Sequence, residues 1–113
     1  MARNTGDSLR DLAQSTLAFF ERFGVKPTVN DCVQNLREEV AELIEAAQIG
    51  TDQNHTAEEA ADVFVTAIGV CYAAGVDIDR LVEQMYAVIA KNDAKTHQTH
   101  VYSDGKIRRR APK

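Results

Sequence analysis

Within the eleven residues REEVAELIEAA, positions 37–47, stand four carboxylates, Glu38, Glu39, Glu42 and Glu45. Three of them have the spacing E-E-x-x-E. Sixteen residues separate Glu42 from Glu59, which opens a second acidic pair with Asp62 in the spacing E-x-x-D. Carboxylates offer only hard oxygen donors, and a set of them suits Mg²⁺ or Mn²⁺. On a helix of about 100° per residue, Glu39 and Glu42 lie about 60° apart. Glu39 then flanks the apolar stripe Val40, Leu43 and Ile44, while Glu38 and Glu45 turn further toward solvent. Taken alone, this pattern is also that of an ordinary solvated helix face.

The second acidic pair decides between those readings. The stretch AEEAADVFVTAIGVCYAAG, residues 57–75, is apolar on nearly every side, the pattern of a buried helix. Glu59, Asp62, Thr66 and Gly69 fall on one stripe of it. A buried ionised carboxylate is costly unless it is paired or bound to metal. Residues 1–90 hold fifteen acids against six Lys and Arg, too few cations to neutralise both sets. If the two helices pack antiparallel, Glu39 and Glu42 face Glu59 and Asp62 across one groove, as metal ligands. Glu59 has a second explanation as the N3 residue of a capping box, Thr56-x-x-Glu59. Asp62 has none.

Turn signals divide the chain into four helices. The first covers about Ser8 to Phe23, with Ser8-x-x-Asp11 as its cap and Gly24 as its stop. The second covers about Asp31 to Ile49, capped by Asn30 and stopped by Gly50. Val33, Leu36, Val40, Leu43, Ile44 and Ala47 form its apolar face. The third opens at Thr56 and ends near Ala74–Gly75. The fourth follows Asp77, with Ile78, Leu81, Val82, Met85, Val88 and Ile89 facing inward. Short connections favour antiparallel neighbours. The expected fold is therefore all-α, an antiparallel four-helix bundle over residues 1–97. Residues 98–113 form a short basic tail, either a hairpin turning at Asp104-Gly105 or a strap.

The paired motif Glu38-Glu39-x-x-Glu42 and Glu59-x-x-Asp62 resembles that of the MazG-like, all-α nucleoside triphosphate pyrophosphohydrolases. The phage-type and phosphoribosyl-ATP pyrophosphohydrolase-like branch is the nearest in pattern. Its fourth helix ends in an Asn-containing segment followed by D-G-K, to which IAKNDAK and SDGKIRR here are similar. The resemblance covers about residues 19–108. It implies an oligomeric helical bundle that cuts the α–β phosphoanhydride of a nucleotide, giving monophosphate and pyrophosphate. It implies Mg²⁺ as cofactor, with Mn²⁺ as an alternative, and Glu39, Glu42, Glu59 and Asp62 as ligands. Glu38 is then a further ligand or the group that orients the attacking water. The chemistry fits, because a cation both neutralises phosphate charge and activates water, so no side-chain nucleophile is needed. Neither a G-x-S-x-G elbow nor a phosphate-binding glycine loop competes for the role.

Lys91, Asn92, Lys95 and Lys106 are the candidate substrate contacts. Asn92 continues the line of Met85 and Ile89, where it either bonds a sugar or phosphate or fixes the helix register. Lys91 and Lys95, one turn apart, either meet phosphate oxygens or complement the helix C-terminus. Lys106 is placed to close over a triphosphate, whereas Arg108–Arg110 read as solvated tail. His97 and His100 form H-x-x-H without a third zinc ligand, and both read as surface residues. His55 reads as a loop residue without signal. Tyr72 and Tyr86 read as packing residues.

Charge and composition exclude other classes. Residues 1–90 carry a net −9 and residues 91–113 a net +5, an acidic body with a local basic end and not a nucleic-acid-binding profile. No apolar run is long enough to span a membrane, and the N-terminus lacks a secretory h-region. Cys32 and Cys71 read as buried free thiols, so a cytoplasmic protein is expected. Four short helices bury a modest core, hence an expected dimer or tetramer. Two alternatives remain open at this level: a non-catalytic helical adaptor, and a nucleotide-binding module without turnover. A di-iron bundle would need Glu-x-x-His pairs, and no Glu here has His three positions on.

Overall fold

The computed structural model describes residues 6–111. The ends of the two expected segments, residues 1–5 and 112–113, lie outside it. Four helices, α1 (Ser8–Arg22), α2 (Val29–Ile49), α3 (Gln53–Ala73) and α4 (Ile78–Asp93), precede a hairpin of β1 (His100–Ser103) and β2 (Lys106–Arg109). This is the all-α class expected. The chain divides into two compact units, with the boundary between Val82 and Glu83.

Helices α1, α2 and α3 start earlier or on a different cap than the turn signals suggest, whereas α4 starts on the expected one. Asp7, not Ser8, caps α1, its side chain accepting from the Arg10 N–H at 3.0 Å. Thr28, not Asn30, caps α2 by accepting from the Asp31 N–H at 3.1 Å. Asp52 caps α3 by accepting from the His55 N–H at 3.1 Å, so the helix begins three residues before Thr56. Each Ser, Thr, Asn or Asp near a helix start competes for the same N–H groups, and the residue at the true boundary wins. The stop of α2 is as expected: Gly50 takes the left-handed conformation at φ 67°, ψ 15°, and its N–H bonds the Ala46 carbonyl. Asp77 caps α4, accepting from the Arg80 N–H at 2.7 Å.

The three-residue turn at Gly50–Asp52 folds α3 back on α2 as an antiparallel hairpin. Near the turn, the Thr56 hydroxyl donates to the Ala46 carbonyl at 3.4 Å. At the far end, Gly69 lies beside the Cys32 sulfur. Between those points the same register sets Glu42 beside Glu59. Helix α1 crosses α3 over Gly69, where Phe20 takes the space a side chain would fill. The Phe20 ring also stacks on Tyr72, centroids 5.5 Å apart. Ile78 and Leu81, from the first turn of α4, join Ala13, Leu17, Ile68, Tyr72 and Val76 around a small residual cavity. An Arg10–Asp79 ion pair at 2.8 Å ties the start of α4 to α1.

The core is smaller than the apolar patterning suggests. Ala13, Cys32, Ala46, Ile68 and Val82 are the buried apolar residues, and among the described residues no large side chain is fully enclosed. Helix α3 is therefore not buried all round. Glu59, Ile68 and Gly69 are its buried residues, but Phe64 is 59% exposed and Val65 37%. On α4, Val82 is buried, whereas Val88 and Ile89 are exposed. Cys71 is half-buried and not buried; Cys32 is buried. An apolar pattern states which surface avoids water; whether a neighbour exists to cover it is a property of the packing.

In the second unit, the hairpin turns at Asp104 and Gly105, both at positive φ, 52° and 78°. That is the Asp-Gly signature of a two-residue hairpin turn. His100 pairs with Arg109 and Ser103 with Lys106.

Candidate metal centre

The antiparallel register of α2 and α3 brings Glu39, Glu42 and Glu59 together, each offering an oxygen within 4.8 Å of the others. Glu59 is 7% exposed, Glu39 half-buried and Glu42 exposed. With Asp52 as the cap, Glu59 sits well inside α3 and not at N3, which removes the capping-box explanation. Asp62 is one turn further along α3. It is exposed and so not the buried residue the apolar pattern suggests. Its charge still reaches both Glu39 and Glu59. The Thr66 hydroxyl, next on that stripe, donates to the carbonyls of Asp62 and Val63 and leaves the carboxylates alone.

The electrostatics are those of like charges held close with too few counter-ions. Burial pushes the Glu39 carboxyl above its ordinary value, and the charges of Glu42, Asp62 and Glu59 push it further. Burial likewise raises Glu59, followed by its contact with Glu42 and the charge of Asp62; His55 opposes the shift. One oxygen of each, Glu39 Oε2 and Glu59 Oε2, is enclosed without a hydrogen-bond partner. Among the described residues, the ion-pair partner of these four acids is His55, whose Nδ1 lies 3.8 Å from Glu59 Oε1. Enclosed anionic oxygens without donors are rare in folded proteins. A cation between them removes the penalty, so the residues present fit a divalent metal.

Glu38 is exposed and lies outside the three-carboxylate group; Glu45 is exposed and lines a neighbouring cleft. His55 is the residue sequence reading missed. It belongs to the first turn of α3 and not to a loop, and its position four before Glu59 was the available signal.

The other candidates lie in the second unit. Lys95 Nζ donates to the Asn92 side chain at 3.0 Å. Both line an open cleft of about 570 Å³ with His97, His100, Tyr102 and Ile107. Lys91 and Lys106 are exposed and do not line it. The His100 ring bonds the Thr99 hydroxyl at 2.7 Å. Its pKa is lowered by burial and by the charges of Lys95 and Arg109.

Comparison with known proteins identifies the family. A search of curated proteins gives no match. Among solved structures, the chain resembles a cyanophage S-2L MazG-like pyrophosphohydrolase, described with dGDP and three catalytic Mn²⁺ ions per active site. The two are 23% identical with a TM-score of 0.63, over 97% of this chain and 100% of that one, a likeness of fold. The family model for phosphoribosyl-ATP pyrophosphohydrolase matches residues 22–87, which include both acidic motifs. The chain belongs to the phosphoribosyl-ATP pyrophosphohydrolase family and is a nucleotide pyrophosphohydrolase of the MazG-like, all-α kind.

Proposed function

We propose that this enzyme hydrolyses nucleoside triphosphates between the α- and β-phosphates, releasing the monophosphate and pyrophosphate, with Mg²⁺ as cofactor and Mn²⁺ as an alternative. The observation that carries this reading is the pair of enclosed, partnerless oxygens, Glu39 Oε2 and Glu59 Oε2, in one group of like charges. Glu39, Glu42, Glu59 and Asp62 hold the cation. Glu38, exposed on the same turn as Glu39, is a further ligand or orients the attacking water. A cation bound there neutralises phosphate charge and makes a water more acidic. The carboxylates sit on two rigid helices, which fixes their spacing before substrate arrives. Lys91, Asn92, Lys95 and Lys106 contact the sugar or phosphates of the substrate, Lys95 and Asn92 as a bonded pair.

The family match favours phosphoribosyl-ATP as a second substrate, since it carries the same anhydride. A substrate of that kind, with two thiols not joined in a disulfide, suits the cytoplasm. Self-association completes the reading. Ile44, 50% exposed on α2, and Phe64, 59% exposed on α3, are large apolar side chains of the α2–α3 hairpin left open to solvent. A second copy of this chain is the occupant that gives them the cover the single chain lacks.

Incubation with the common NTPs and dNTPs, dUTP and phosphoribosyl-ATP, with Mg²⁺ and with EDTA, tests the reaction. Release of monophosphate and pyrophosphate that EDTA stops is the expected result. Release of orthophosphate with a diphosphate product would refute the bond assignment.

A further inference from the structure

The cleft of the second unit has walls of two kinds. On one side stand Asn92 and Lys95, joined by their 3.0 Å hydrogen bond. On the other stands the hairpin. Side chains alternate along a strand, so His100 and Tyr102 share one face with Ile107, the cross-strand partner of Tyr102. Val101 completes the apolar part of the wall. We propose that this cleft holds the nucleobase of the substrate, stacked on Tyr102 and hydrogen-bonded at its edge by His100. The proposal rests on the reading of Asn92 and Lys95 as contacts to the sugar or phosphates, and it sets the base beside them.

Size and surface both suit a base. Small-molecule sites occupy roughly 300–1,000 Å³ and are mostly apolar, with a few placed polar groups. This cleft measures about 570 Å³. Tyr102 is 70% exposed and Ile107 49%, so a planar ring laid on them covers apolar surface that the second unit leaves open. A tyrosine ring is a sufficient platform, because every base has a π-face to stack on it.

Charge argues against a phosphate in the same place. Lys95 is the one Lys or Arg among the described residues that line the cleft, and it already donates to Asn92. Burial and the charges of Lys95 and Arg109 lower the His100 pKa, so its ring is neutral at neutral pH. A neutral ring gives an anion no counter-charge, but it still makes directed hydrogen bonds. The Thr99 hydroxyl engages Nδ1 at 2.7 Å, which leaves Nε2 for a ligand. Base edges carry the donors and acceptors that meet such an atom. Two bonds hold the wall in place before a ligand arrives: the Arg110 N–H donates to the Thr99 carbonyl at 2.8 Å, and its Nε–H to the His97 carbonyl at 2.6 Å.

Nuclear magnetic resonance of the metal-free protein, titrated with AMP, GMP, CMP and UMP, tests this without reference to turnover. The expected shifts fall on the rings of Tyr102 and His100 and on the Ile107 methyls. Tyr102→Ala binds the nucleotides roughly tenfold more weakly, and Tyr102→Phe restores binding because the ring is what stacks. Phe23→Ala, which removes an exposed ring of the first unit, leaves binding unchanged. Ribose 5-phosphate, which has no base, leaves the Tyr102 and Ile107 signals in place. Equal binding by Tyr102→Ala, shifts that ribose 5-phosphate reproduces, or no shift at the cleft overturns the base site. None of these touches pyrophosphate release, measured separately. Conversely, the expected shifts in a protein that cuts no triphosphate keep the base site and overturn the reaction.

Discussion

Glu39 on α2 and Glu59 on α3 face each other as like charges, each with one enclosed oxygen that nothing in the described fold satisfies. Both carboxyls are raised above their ordinary value of 4.5, first by burial and then by their acidic neighbours. The native state therefore holds protons that the unfolded chain has already released. Through these two groups, metal-free stability is greatest at low pH. It falls as pH rises from near 4.5 through the native values, then stays at the lower level. Thermal unfolding in EDTA between mildly acid and neutral pH checks the sign, and saturating Mg²⁺ at neutral pH is expected to restore the loss. A metal-free protein that grows more stable with pH across that window would contradict the strained arrangement.

Neutralising Glu59 separates strain from function. In Glu59→Gln the metal-free protein melts no lower than the wild type, since a partnerless enclosed charge is gone. Turnover is lost. The wild type gains stability with the logarithm of Mg²⁺ concentration above its Kd, about 2.7 kcal/mol at a hundredfold excess. Calorimetric scans of Glu59→Gln are expected to show little of that gain.

Phe20 sets the crossing of α1 over α3. A Cβ built on Gly69 meets the Phe20 ring at 3.4 Å, close to ordinary contact, so alanine is nearly accommodated. Leucine at that position would force the ring aside and cost about 1–3 kcal/mol by overpacking. Chemical denaturation of Gly69→Ala and Gly69→Leu measures the difference. Equal stability of the two variants would show that α1 does not depend on this approach.

The exposed apolar residues of the α2–α3 hairpin predict a dimer or larger assembly. Light scattering at micromolar concentration should return a mass above that of one 12.5 kDa chain. Ile44→Glu combined with Phe64→Glu should shift it toward the monomer, because neither side chain belongs to the core of the single chain. A monomeric wild type would leave those residues without a role.

Sequence alone reached the acids because helix geometry is regular. Once α2 and α3 form an antiparallel hairpin, the spacing of 39 with 42 and the position of 59 determine that Glu39, Glu42 and Glu59 meet, while Asp62 lies outside their group. Gly50 and Asp104-Gly105 were legible because positive φ leaves few candidates. Capping residues were not, since Ser8, Asn30 and Thr56 each have a chemically equivalent rival within four positions. That ambiguity also hid His55. With α3 begun at Thr56 it is a loop residue, and with α3 begun at Gln53 it stands one turn from Glu59. Burial of α3 was misjudged for a different reason. Its apolar circumference records the need for cover, and within the single chain only Glu59, Ile68 and Gly69 of α3 are buried.

The most direct test of the central claim is pyrophosphate release by Asp62→Ala beside the wild type at saturating Mg²⁺. Asp62 is exposed, so its removal leaves the fold intact, which circular dichroism will verify. Loss of one ligand's worth of charge stabilisation predicts a fall of about a hundredfold or more in turnover. Full activity in Asp62→Ala would contradict the placing of the reaction at the carboxylates of α2 and α3.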